Sequence, residues 1–190
     1  CHLAFVFWLI LQNLTNHLIS ELDPKGVPES LKDTSFPFNY NRFGELEKIV
    51  KENEIGTIKI EVSRNYKPEN DFLIKIRNLA SNKGIILIFD ECSTGFRQTY
   101  GGLHKLYNVE PDMAIFGKSL GNGYAITAVI GKKNIMEAAQ STFISSTFWT
   151  ERVGPTAALA TLNIMEKYQT WKQISNIGKK IKENWIKLAN

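Results

Sequence analysis

The sequence predicts an α/β layer fold, and three observations carry that prediction. Short apolar strands alternate with amphipathic helices along most of the chain. One run, IILIF at residues 85–89, is continuously β-branched and aromatic, as in strands buried on both faces of a parallel sheet. A length of 190 residues with 43% hydrophobic content is enough to bury one sizeable core.

The elements follow in order. Leu3 to Leu11 is apolar but far too short to span a bilayer, lacks the basic flank and cleavage site of a leader, and reads as core. Residues 23–44 hold three of the six prolines among Asp, Asn and Ser, which marks a long irregular connection. From Phe43 to Asn53 the apolar residues Leu46, Ile49 and Val50 recur at helical spacing, and TIKIEV at 57–62 reads as a strand. A helix over about 70–82 places Phe72, Leu73, Ile76, Leu79 and Ala80 on one face, with Gly84 as its stop. IILIF then ends on Asp90. MAIF at 113–116 and ITAVIG at 126–131 are further strands, followed by helices near 132–140, 153–168 and 171–188.

Composition excludes several classes. The 23 Lys+Arg and 19 Asp+Glu give a formal charge of +4, and the basic residues are dispersed, so no nucleic-acid partner is expected. Cys1 and Cys92 form no repeated spacing with each other or with His2, His17 and His104. Neither a disulfide framework nor a metal site is therefore expected, and a reducing cytoplasm is the natural location. No membrane association is expected either. Asn13-Leu14-Thr15 matches a glycosylation sequon, a pattern that is common by chance.

Two clusters carry chemistry. Ligands of open α/β sheets gather beyond the carboxyl ends of the strands, which is where Asp90 stands, followed by a second acid, two hydroxyls and a glycine turn in DECSTGFR. On position alone Asp90 is equally well a turn or capping aspartate. Lys118, just after a strand and among Gly117, Gly121 and Gly123, is expected to be shielded from bulk water. Shielding of that kind leaves more of a lysine as the neutral amine needed to attack a carbonyl. An arbitrary lysine in such a loop would be a surface group. Gly117-Lys118-Ser119 imitates the end of a phosphate loop, but Asp112 occupies the position of the required first glycine and MAIF is no flexible loop, so a nucleotide-hydrolysing reading fails.

Taken together and in order, ILIFDECSTGFR, GGLHKLYNVEPDMAIFGKSLGNGYAITAVIG and FISSTFWTERVGPTAALATL resemble class III pyridoxal-phosphate-dependent aminotransferases, nearest their glutamate-1-semialdehyde aminomutase-like branch. The resemblance runs from about Asp23 to Lys167 and more weakly back to Trp8 and Asn13. It implies a three-layer α/β sandwich with a mostly parallel sheet, the major domain of the fold type I pyridoxal-phosphate-dependent transferases, present here in part. Residues 1–168 would be part of that cofactor-binding domain, and 169–190 a helix leading into a small C-terminal domain.

The resemblance further implies that Lys118 forms the internal aldimine with pyridoxal 5′-phosphate and shuttles the substrate's α-proton. Asp90 would bind the pyridine nitrogen, Cys92 would pack against the ring, and Thr147 would reach the cofactor phosphate of a neighbouring subunit in a homodimer. Ser145, Ser146 and Thr150 are nearby hydroxyls, and TFWTERVG stands where typical aminomutases carry a Gly-Asn-Pro-containing version. Glu61 matches the glutamate of a family Glu-Pro element, with Val62 in place of the proline. CHLAFVFW occupies the place of an aromatic-His-Gly element, with His2 one position out of register when Trp8 is aligned.

The implied activity is amino-group transfer between a small amine donor and a carbonyl acceptor. The alternatives are glutamate-1-semialdehyde 2,1-aminomutase and a truncated, non-catalytic remnant. The chain begins without methionine and lacks the upstream phosphate cup, so it reads as a fragment that is inactive in isolation.

Overall fold

The computed structural model describes residues 28, 30, 33–147 and 150–189. Expectations placed on Cys1, His2, Leu3–Leu11, Trp8, the Asn13 sequon and His17, and on Phe148 and Trp149 of the FISSTFWT segment, lie outside the described residues. The chain divides into two compact units, Cys1–Glu54 and Ile55–Asn190. In the first, helix α1 (Phe43–Glu52) buries Leu46, and the Glu45 carboxylate just inside its start accepts hydrogen bonds from the Asn39 backbone N–H (2.9 Å) and side-chain amide (3.1 Å).

The second unit holds a four-stranded sheet in the order β1 (Thr57–Glu61), β2 (Ile86–Asp90), β3 (Met113–Phe116), β4 (Ala128–Gly131). The first two pairings are parallel and the third antiparallel, so the sheet is mostly parallel as expected. The register, with Thr57 opposite Ile86 and Ile88 opposite Met113, gathers Ile58, Ile60, Leu87, Phe89 and Ala114 on one buried face. The other face carries Lys59, Ile86, Ile88, Asp90 and Met113, all only partly covered. Burial of IILIF thus alternates, where the sequence suggested cover on both faces.

Helix α2 (Phe72–Lys83) buries Phe72, Leu73, Ile76 and Ala80, four of the five residues expected on its inner face. It ends in a Schellman arrangement. Gly84 adopts a left-handed φ of 67° while the Ile85 N–H reaches the Ala80 carbonyl at 2.8 Å and the Gly84 N–H the Ser81 carbonyl at 3.4 Å. After β4 come α3 (Lys133–Ala138), α4 (Val153–Tyr168) and α5 (Thr170–Ala189). The start of α4 is satisfied by the Glu151 carboxylate, which accepts the N–H groups of Val153 and Gly154. Ala158 of α4 packs with Ala114, Phe116 and Leu120.

Asp112 locks the strands together. Its carboxylate accepts the Leu87 N–H (2.8 Å), Arg77 of α2 (2.8 Å) and Lys132 beyond β4 (2.7 Å), and its backbone N–H donates to the Leu87 carbonyl (2.8 Å). The residue that ruled out a phosphate loop in the sequence is therefore a structural anchor.

Candidate active site

Because β1, β2 and β3 run parallel, their carboxyl ends share one edge, and Glu61, Asp90 and the Gly117-Lys118 turn are delivered there by strand direction alone. Asp90 is half-buried. Its Oδ2 pairs with Lys59 Nζ at 2.8 Å, and its Oδ1 accepts the Cys92 N–H at 3.1 Å. Burial alone would raise its pKa, but the Lys59 ammonium and the Cys92 N–H outweigh burial and hold the carboxyl below its ordinary 3.8. Asp90 is ionised at neutral pH.

Cys92 is buried, and burial together with the negative charge of Asp90 pushes its thiol up to about 11. It is therefore a neutral, apolar packing group and not a nucleophile. A Cβ added at Gly117 would lie 3.5 Å from Cys92 Sγ, which places the thiol directly beside the residue preceding Lys118.

Lys118 opens a short 3-10 turn (Lys118–Leu120) with a left-handed φ of 43°. This conformation costs a non-glycine residue on the order of 1 kcal/mol and is common where a side chain must be aimed. Its Nζ donates to Ser93 Oγ at 2.5 Å, joining the end of β3 to the loop after β2. The expected shielding from water is not met, because Lys118 is exposed: nothing described in this chain covers that side of the turn.

The edge thus brings together Asp90, Cys92 and Lys118, with Ser93 and Lys59 added. Sequence reasoning missed both additions. Ser93 had a signal in its position three residues after Asp90. Lys59 had only a charged residue in mid-strand, whose direction depends on register. Thr147 lies in an exposed turn, where Ser145, Ser146 and Thr150 are also exposed. Glu61, opposite Asp90 in register, takes Arg64 at 3.2 Å on one oxygen, while the other is buried without a hydrogen-bond partner among the described residues.

Behind the edge, Glu91 fixes the loop that presents Cys92 and Ser93. It is fully buried. Its Oε1 accepts both the backbone N–H (3.0 Å) and Nδ1–H (2.9 Å) of His104, and its Oε2 accepts the Thr94 hydroxyl. Burial would raise its pKa, yet these donors hold it below the usual glutamate value. Glu91→Gln removes the charge that strengthens the bonds from His104 and makes the Thr94 hydroxyl accept instead of donate, and it is expected to cost about 2 kcal/mol, read from the denaturant midpoint at neutral pH. Among the described residues no cluster of His, Cys, Asp and Glu could hold a metal ion, and no helix is long and apolar enough to cross a membrane.

Residues 42–190 match the Aminotransferase class-III family, and the chain belongs to it. The cofactor of this family of enzymes is pyridoxal 5′-phosphate, and its members act on small amino and carbonyl compounds. The chain is 34% identical over 164 residues to the 3-aminobutyryl-CoA aminotransferase of Cloacimonas acidaminovorans, covering 82% of this chain and 40% of that protein. It is 33% identical over 168 residues to the glutamate-1-semialdehyde 2,1-aminomutase of Hyperthermus butylicus, covering 84% and 39%. Among solved structures, the pyridoxal-phosphate internal aldimine form of the FumI protein of Sphingopyxis sp. MTA144 superposes with a TM-score of 0.70 at 25% identity, covering 80% of this chain and 39% of that one. An omega-transaminase from Sphaerobacter thermophilus gives a TM-score of 0.68 at 25% identity, covering 74% and 35%. The chain thus spans about 40% of the length of the curated relatives it matches.

Proposed function

We propose that the full-length protein transfers an amino group between a small amine donor and a small carbonyl acceptor, with Lys118 as the lysine that bonds pyridoxal phosphate and Asp90 as the partner of its ring nitrogen. The observation that carries this reading is the Lys118 amine, held by Ser93 Oγ at 2.5 Å on the same strand edge as a carboxylate kept ionised. The donor set suits the cofactor: a carboxylate for a protonated nitrogen, a reachable primary amine, and a protonated thiol as an apolar surface for a ring. When bound, pyridoxal phosphate supplies an electron-withdrawing ring that takes up the electron pair left as the substrate loses a proton.

This chain's residues do the rest. Asp90 would orient the ring and hold the proton on its nitrogen. Cys92 would pack against the ring as an apolar group and keep water from it. Lys118 Nζ would carry the proton between substrate atoms, and Ser93 Oγ would limit the directions its amine can take. Thr147 reaching the phosphate of a second subunit, a homodimer, and a cytoplasmic location belong to the same proposal. So does the reading of residues 1–168 as part of the cofactor-binding domain, with the helix over 169–190 leading on from it.

Several relatives are glutamate-1-semialdehyde aminomutases, which favours aminomutase as the second reading. Dependence on a separate amino acceptor separates the two. A transaminase turns over continuously only when a carbonyl acceptor is added, whereas a mutase returns the amino group to the same carbon skeleton. Assay of the full-length protein with a panel of amines is expected to show acceptor-dependent turnover. Turnover of a single amino aldehyde without acceptor would decide for the mutase, and no turnover of either kind would contradict the proposal.

A further inference from the structure

Asp90 already has a cation. Lys59 projects from β1 onto the face of the sheet that carries Asp90, and its Nζ lies 2.8 Å from Oδ2, while Oδ1 is occupied by the Cys92 N–H. Both side chains are largely withdrawn from solvent, at 17% and 16% exposure, so water screens this pair only in part. The register puts Lys59 in mid-strand opposite Ile88, two residues before the end where Glu61 is opposite Asp90, so its side chain extends along the sheet face to reach the carboxylate at the strand end. Among the described residues, the other charged or titratable groups around Asp90 are Glu61 with its partner Arg64, the Cys92 thiol, and Lys118 beyond β3.

We infer that Lys59 is a positioning residue that shares Asp90 with the cofactor's ring nitrogen and, as a fixed positive charge beside it, lowers that nitrogen's proton affinity. The inference rests on the proposed pairing of Asp90 with the ring. A carboxylate oxygen has two lone pairs, so Oδ2 can accept from Lys59 and from a ring N–H at once. The nitrogen then meets a carboxylate whose charge is partly countered, and it stands within a few ångströms of an ammonium, a like charge to its own protonated form. A neighbouring charge at such range moves a titration by roughly one to three pH units. A ring that holds its proton less firmly withdraws electrons less strongly. Negative charge then stays nearer the substrate carbon, where Lys118 can return the proton. Lys59 thus restrains the electron sink that Asp90 promotes.

The test uses the full-length holoenzyme loaded with pyridoxal phosphate carrying nitrogen-15 in the ring, whose NMR shift reports protonation of that nitrogen across the pH range. Lys59→Met keeps the stem and removes the charge, Lys59→Arg keeps the charge, and Asp90→Asn controls the reading beneath. The expected result is a midpoint about one unit or more higher in K59M than in the parent, with K59R at the parent value and D90N shifted downward. A K59M titration that superposes on the parent or moves downward would overturn the role of Lys59. Movement of K59R together with K59M would also overturn it, since packing and not charge would then be responsible. If D90N leaves the titration in place, the pairing of Asp90 with the ring is what has failed.

Discussion

Replacing Lys118 with alanine in the full-length protein is expected to lower amino-group transfer by roughly three orders of magnitude or more, with little change in folding stability. The size follows from two losses together: the covalent attachment point and the group that relays the substrate's proton, the latter alone being worth about 10²- to 10⁴-fold. The small stability change follows from the structure. Lys118 is exposed, and its described side-chain hydrogen bond is a single one to Ser93 Oγ, so alanine leaves no buried group unpaired. Its left-handed φ of 43° strains alanine about as much as lysine. Lys118→Arg keeps the charge but offers no amine able to bond a carbonyl under ordinary conditions, and it is expected to be as inactive as the alanine variant. Steady-state rates beside thermal melts check both halves. A K118A protein with more than a tenth of the parent rate would contradict the role given to this lysine.

The largest effect on stability is expected at Asp112. Replacement by alanine leaves Arg77, whose side chain is 17% exposed, with neutral acceptors on Ser81 and Glu110 but without its counter-charge, leaves the Leu87 N–H without its side-chain acceptor, and frees Lys132, which at 55% exposure loses little. Breaking a mostly buried ion pair from one side costs about 3 to 5 kcal/mol, and the denaturant midpoint of D112A should fall accordingly. The pH dependence has a definite sign. Burial opposes ionisation, but the Leu87 N–H, Lys132 and Arg77 hold the Asp112 carboxyl at about 2, below its ordinary 3.8. A carboxylate depressed on folding contributes stability that is fully present above 3.8 and disappears as the pH falls through about 2; the difference corresponds to about 2 kcal/mol. Asp112→Asn should remove that part of the acid dependence, which is visible as a flatter stability curve between those pH values.

Much of this arrangement was legible before any coordinates. Residues 153–168 formed the helix that the sequence predicted, and the neighbouring helices and strands differed by a residue or two at their ends, where fraying blurs the signal. Gly84 marked the end of α2 because the left-handed turn there suits a residue without a Cβ. Asp90 and Lys118 were singled out by their places after strands and by the family resemblance, and the parallel strands bring both to one sheet edge.

Lys59 could not be. TIKIEV reads as a strand whether or not its lysine finds a partner, and only the parallel register with β2 directs that ammonium to Asp90. Shielding of Lys118 was misjudged for a related reason: a glycine-rich loop after a strand says where a side chain begins, and not what lies over it. Asp112 was noticed only as the wrong residue for a phosphate loop, since its three partners come from Arg77, Leu87 and Lys132, separated by 35, 25 and 20 residues.

The attachment of the cofactor is the claim on which the rest depends. Full-length protein incubated with pyridoxal phosphate, reduced with borohydride and digested should yield one modified peptide, with the label on the lysine of the segment FGKSLGNGYA, Lys118. A label on Lys59 or any other lysine, or no label in fully folded protein, would contradict the assignment.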